Sequence, residues 1–157
     1  MATINYQNLP STSTPLNATN LNSMQVPDEG TWTPTINTIE NVAPTITYTE
    51  NRGRYFKMGK WVHVDFYIKG KITALNGTKN YGVIKGLPFS VDNVAIGERP
   101  LTVGVVYNIL HSTTDVVFAF YNNYIRLQEG YGTGANSLIV TPGDYFEIGG
   151  AGWYKTT

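Results

Sequence analysis

The chain contains no cysteine, which excludes disulfide staples, thiolate metal sites and cysteine nucleophiles. Its two histidines, His63 and His111, are too few for a histidine-only metal cage. No apolar run approaches the roughly 18 residues of a membrane span. The N-terminus lacks the basic and apolar regions of a signal peptide, so no membrane insertion is expected. An excess of positive charge is missing as well: 11 basic residues balance 11 acidic ones, which argues against a nucleic-acid binder. Walker, nucleophile-elbow, dinucleotide and HExxH signatures are absent. Gly130-Tyr131-Gly132-Thr133-Gly134 is glycine-rich, but no helix pattern follows it to present amides to a phosphate. The chain is therefore expected to be no enzyme and to use neither a metal nor a cofactor. A polysaccharide depolymerase, the minor alternative, would need a carboxylate pair assembled by tertiary structure.

Charge is missing from the beginning of the chain too. The first charged residue is Asp28, and the stretch before it is rich in Ser, Thr, Asn and Pro. Such a segment buries too little apolar surface to offset its own ordering entropy. Asn17 is placed to N-cap a short helix running to Gln25, with Leu21 and Met24 on one side. The arm is either loose or ordered against a partner, and Pro27-Asp28-Glu29-Gly30 punctuates its end. This sets an N-terminal arm over residues 1–29 and a head domain over 30–157.

What is present points to β structure. The 157 residues include 11 Tyr, 3 Trp and 16 Gly, and from Thr31 onward the apolar pattern has period two. Val62, Val64, Phe66 and Ile68 fall on one face of a strand, and Trp61, His63, Asp65 and Tyr67 on the other. Strands over 116–121 and 124–128 flank Asn122-Asn123, which predicts a hairpin with a type I′ turn. Further strands are expected over 45–49, 54–58, 69–74, 81–85, 101–107, 137–141, 145–148 and 153–155. Turn signals separate them at Asn76-Gly77, Lys85-Gly86, Pro142-Gly143 and Gly149-Gly150. The fold class is all-β, an antiparallel β-sandwich or jelly-roll-like domain behind a short N-terminal arm.

Eight of the 11 basic residues lie between Arg52 and Lys85: Arg52, Arg54, Lys57, Lys60, Lys69, Lys71, Lys79 and Lys85. They form either several solvated faces or one patch for an anionic polymer such as a phosphate-bearing glycan.

Several ordered motifs are similar to a module found in tail-fibre and baseplate proteins of bacteriophages. They are Gly30-Thr31-Trp32-Thr33-Pro34, Thr47-Tyr48, and the run Gly53-Arg54-Tyr55-Phe56-Lys57-Met58-Gly59-Lys60-Trp61-Val62. Ile84-Lys85-Gly86-Leu87-Pro88-Phe89 and the glycine-rich aromatic stretch from Gly149 to Tyr154 complete the series. The resemblance implies a virion protein, made in the host cytoplasm and carried on the tail or another exterior surface. It also implies a homotrimer that binds host cell-surface polysaccharide and docks on another virion protein through residues 1–29. A non-adhesive decoration or head-fibre subunit is the alternative. The motifs are scaffold and transfer no ligand residues. Ligand contacts are expected on the loops over 75–80, 92–99, 111–115 and 129–136, at Asn76, Lys79, Asn93, His111, Asp115, Tyr131 and Asn136. Trp61, His63, Asp65 and Tyr67 form a second candidate surface or a protomer interface.

Overall fold

A computed structural model describes residues 27–39, 43–76, 82–92, 99–109, 116–129 and 142–157. Within them the fold is all-β, with strands β1 (Asp28–Trp32), β2 (Thr35–Thr38), β3 (Thr45–Met58), β4 (Trp61–Ala74), β5 (Gly82–Lys85), β6 (Arg99–Tyr107), β7 (Val116–Tyr121), β8 (Tyr124–Glu129) and β9 (Tyr145–Lys155). All described pairings are antiparallel and run in the order β1-β3-β4-β9-β6-β7-β8-β5-β2. The expected sandwich is thus one sheet curled into a half-barrel.

Strand β6 forms the corner. Its first residues, through Leu101, pair with β7, while Thr102 onward pairs with β9. The strands at the two ends of the order, β1 and β2, are consecutive in the chain, joined only by Thr33 and Pro34. A side chain at Gly86, where φ is 93°, would strike the Thr33 carbonyl across that seam. Only glycine suits both the space and the backbone there.

The core fills the concave side. Val62, Val64, Phe66, Ile68 and Ile72 of β4 are all at most 4% exposed. Burying each is worth ~1.5–3 kcal/mol, which is why strict alternation fixes this strand's register. Phe66 meets Trp32 and Phe118, each with ring centroids 6.1 Å away, and Phe120 meets Tyr154 at 4.8 Å. The Phe66–Phe118 and Phe120–Tyr154 contacts join the β1-β3-β4-β9 half to the β7-β8 half. The Trp32 indole N–H donates to the Arg54 carbonyl (3.2 Å), and the Tyr154 hydroxyl to that of Phe89 (3.1 Å), so both buried polar atoms are satisfied.

Several expectations change. Segments 45–49 and 54–58 are one 14-residue strand, with a register shift between Tyr48 and Glu50 absorbing the polar interval. Likewise 61–68 and 69–74 are continuous. Gly149-Gly150 is no turn but the middle of β9. A Cβ on Gly150 would lie 2.8 Å from the Thr102 carbonyl oxygen, and one on Gly152 2.8 Å from Leu101 Cγ, so glycine here serves close packing. Residues 28–30, read as punctuation, already pair with Lys57, Phe56 and Tyr55. In the β7–β8 hairpin only Asn122 has positive φ, at 51°, so the turn is not type I′, which needs two such residues. Asn123 instead accepts a hydrogen bond from the Val91 N–H (3.3 Å). The 17–25 helix and the 137–141 strand lie outside the described residues.

Candidate functional site

Strand pairing sets side by side residues that are remote in sequence. On the convex face of β4, Trp61 stands between Met58 and Lys155. Below it come the rows Glu29-Phe56-His63-Trp153 and Thr31-Arg54-Asp65-Ala151. Arg52-Tyr67-Gly149, Glu50-Lys69-Glu147 and Thr47-Lys71-Tyr145 continue the ladder. The four residues expected as a second candidate surface, Trp61, His63, Asp65 and Tyr67, therefore share one face with partners from β1, β3 and β9.

Chemistry varies along this face. At one end Met58 is 56% exposed, and Trp61 and Trp153 are each 46% exposed. Trp153 lies 5.0 Å from the His63 ring and 6.4 Å from that of Phe56. The middle is ionic. Arg54 Nε meets Asp65 Oδ1 at 3.3 Å, and Arg52 meets Glu50 at 3.6 Å while its guanidinium lies 5.4 Å from the Tyr67 ring centre. Lys69 meets Glu147 at 2.5 Å, and the Tyr67 hydroxyl donates to the other oxygen of that carboxylate (3.1 Å). The Lys69 hydrogen bond holds the Glu147 carboxyl below its ordinary pKa, and the same contact raises that of the Lys69 ammonium. Desolvation, then the Glu147 hydrogen bond, raises the Tyr67 phenol. At neutral pH the trio is thus a phenol, an ammonium and a carboxylate. Exposed Tyr107 pairs with Glu147 from β6, and one row further exposed Tyr145 has Lys71 over its ring at 5.6 Å.

Two depressions lie on this face. One of about 460 Å³ is lined by Glu29, Thr31, Arg54, Phe56, His63 and Asp65. The other, of about 310 Å³, is lined by Arg52, Gly53, Arg54, Asp65, Phe66 and Tyr67. Both include Arg54 and Asp65, so the ion pair forms the ridge between them.

The basic run is dispersed by the same ladder. Arg52, Arg54 and Lys69 have carboxylate partners, and Lys57 and Lys71 lie over the Phe89 and Tyr145 rings. Of the loop candidates, Asn76 donates its amide to the Ala43 carbonyl (2.9 Å) and Thr45 Oγ1 (3.4 Å), clipping the start of β3. Lys79, Asn93, His111, Asp115, Tyr131 and Asn136 lie outside the described residues. Glu29, Phe56 and Trp153 become neighbours of His63 through strand register alone, which the alternation within β4 does not reveal. Among the described residues no group of three His, Asp or Glu side chains converges as a metal site, and no helix is long and apolar enough to cross a membrane. Compared with models of known protein families and with curated proteins, the chain matches none.

Proposed function

We propose that this chain is a bacteriophage virion protein of the tail-fibre or baseplate class, homotrimeric, that binds host cell-surface saccharide without catalysis. Residues 1–29 dock on another virion protein in this reading. One observation carries the adhesive part: exposed aromatic rings flank charged hydrogen-bonding groups on a rigid sheet face. Aromatic faces stack on the apolar faces of sugar rings, while carboxylate and guanidinium bond the hydroxyls. The resemblance of the ordered motifs to those of phage tail modules supports the virion setting. Three copies on one axis would turn weak sites into firm attachment.

The test is a pull-down of fluorescently labelled protein with intact cells of candidate bacterial hosts, competed with free sugars. Saturable binding abolished by one sugar is the expected result. A folded oligomer that binds no host cell would overturn the adhesive reading. It would favour a decoration subunit, a reading supported by the apolar corner formed by Met58, Trp61, Phe56 and Trp153. Subunit interfaces collect such residues.

A further inference from the structure

We infer that the paired depressions on the convex face are adjoining subsites for a neutral oligosaccharide, lying across the Arg54–Asp65 ridge. This rests on the adhesive reading and adds the place and the charge class of the ligand.

The place follows from the order of chemistry along the face. A protein interface keeps its charged groups at the rim and its apolar residues in the centre. Here the order is reversed, with Trp61, Met58 and Trp153 at one end, Tyr145 at the other, and ion pairs between them, Tyr107 standing beside Glu147 on β6. The middle of the face thus suits a ligand with many hydroxyls and some apolar surface. The larger depression falls within the ~300–1,000 Å³ usual for small-ligand sites. Phe56 and His63 wall one side of the ridge, and Tyr67 with the Arg52 guanidinium the other.

Charge class follows from the pairing. A phosphate-bearing polymer needs cations whose field is not already met by carboxylates. Arg54, Arg52 and Lys69 each face a carboxylate at 3.6 Å or less, and Glu29 adds another negative group to the larger depression. The Arg54–Asp65 pair offers donors and acceptors together, as vicinal hydroxyls require.

The experiment follows tryptophan emission of the full chain. Trp153 and Trp61 are exposed on this face, whereas Trp32 is buried. Neutral oligosaccharides of glucose, galactose, rhamnose and N-acetylhexosamines are titrated beside poly(glycerol phosphate), at low and high sodium chloride. At least one neutral sugar should change the emission, with affinity altered less than about threefold by salt, as expected without counterion release. The Arg54→Ala/Asp65→Ala double variant, which removes the pair without stranding a charge, should bind at least about tenfold more weakly, a loss of ~1.4 kcal/mol. Tyr121→Ala, on the other half of the sheet, should bind as the parent does. Binding of poly(glycerol phosphate) alone, falling steeply with salt, would overturn the inference and leave the adhesive reading standing. Neutral-sugar binding untouched in the double variant would overturn the location. A folded chain that binds neither class would overturn both.

Discussion

The two faces of β4 run the same length and belong to the same residues, yet they carry different kinds of information. On the concave face every apolar side chain from Val62 to Ile72 is sealed within the core cluster. On the convex face the side chains are half-covered, and aromatic, cationic and anionic groups alternate in rows. Two exposed tryptophans, Trp61 and Trp153, stand on this one sheet face, and the proposed adhesive task rests on them. In the proposed reading, the inner face holds the fold and the outer face the recognition.

The largest break in that comparison is Phe66→Ala. Phe66 bridges Trp32 and Phe118, so the change should cost ~3–5 kcal/mol in urea unfolding. Gly150→Ala comes next, since the Thr102 carbonyl and the Phe118 ring confine the new methyl. A loss of ~1–3 kcal/mol is expected from such overpacking. Gly143→Ala, in open space at φ 111°, should lose only ~1 kcal/mol, all of it from backbone strain.

Alkali sharpens the contrast through Tyr154, a core group. Burial pushes its phenol up from an ordinary value near 10 to about 12. A raised folded-state value means the stabilisation is intact below pH 10 and is lost as pH climbs toward 12. Ultraviolet titration of tyrosinate should therefore show a late fraction that ionises together with unfolding, and Tyr154→Phe should remove it. Smallest of all, the Arg54→Ala/Asp65→Ala pair should change unfolding free energy by no more than ~1 kcal/mol, as exposed ion pairs do. Tyr131→Ala, in the glycine-rich stretch, should leave host binding unchanged if the sheet face is the recognition surface.

Strand content was legible because the alternation in 61–68 leaves no other choice of face. The core face of β4 followed from it. Strand continuity was less legible: the polar run Thr49-Glu50-Asn51-Arg52 and the pair Gly149-Gly150 resemble breaks, but a bulge and close inter-strand packing keep both in strands. The convex surface was half legible. His63, Asp65 and Tyr67 stand out within β4, whereas Glu29, Arg54, Phe56 and Trp153 join them only through pairing, which one strand's pattern does not encode. The basic run from Arg52 to Lys85 was legible as composition, but the carboxylates that meet it sit as far away in sequence as Glu147.

The central claim is that the two faces are separable, and the Arg54→Ala/Asp65→Ala double variant tests it most directly. Its urea unfolding, its oligomeric state by sedimentation and its binding to host cells are measured against the parent. Unfolding free energy should change by no more than ~1 kcal/mol and assembly not at all, while host binding weakens at least about tenfold. Full host binding by the double variant, or collapse of its fold or assembly, would contradict it.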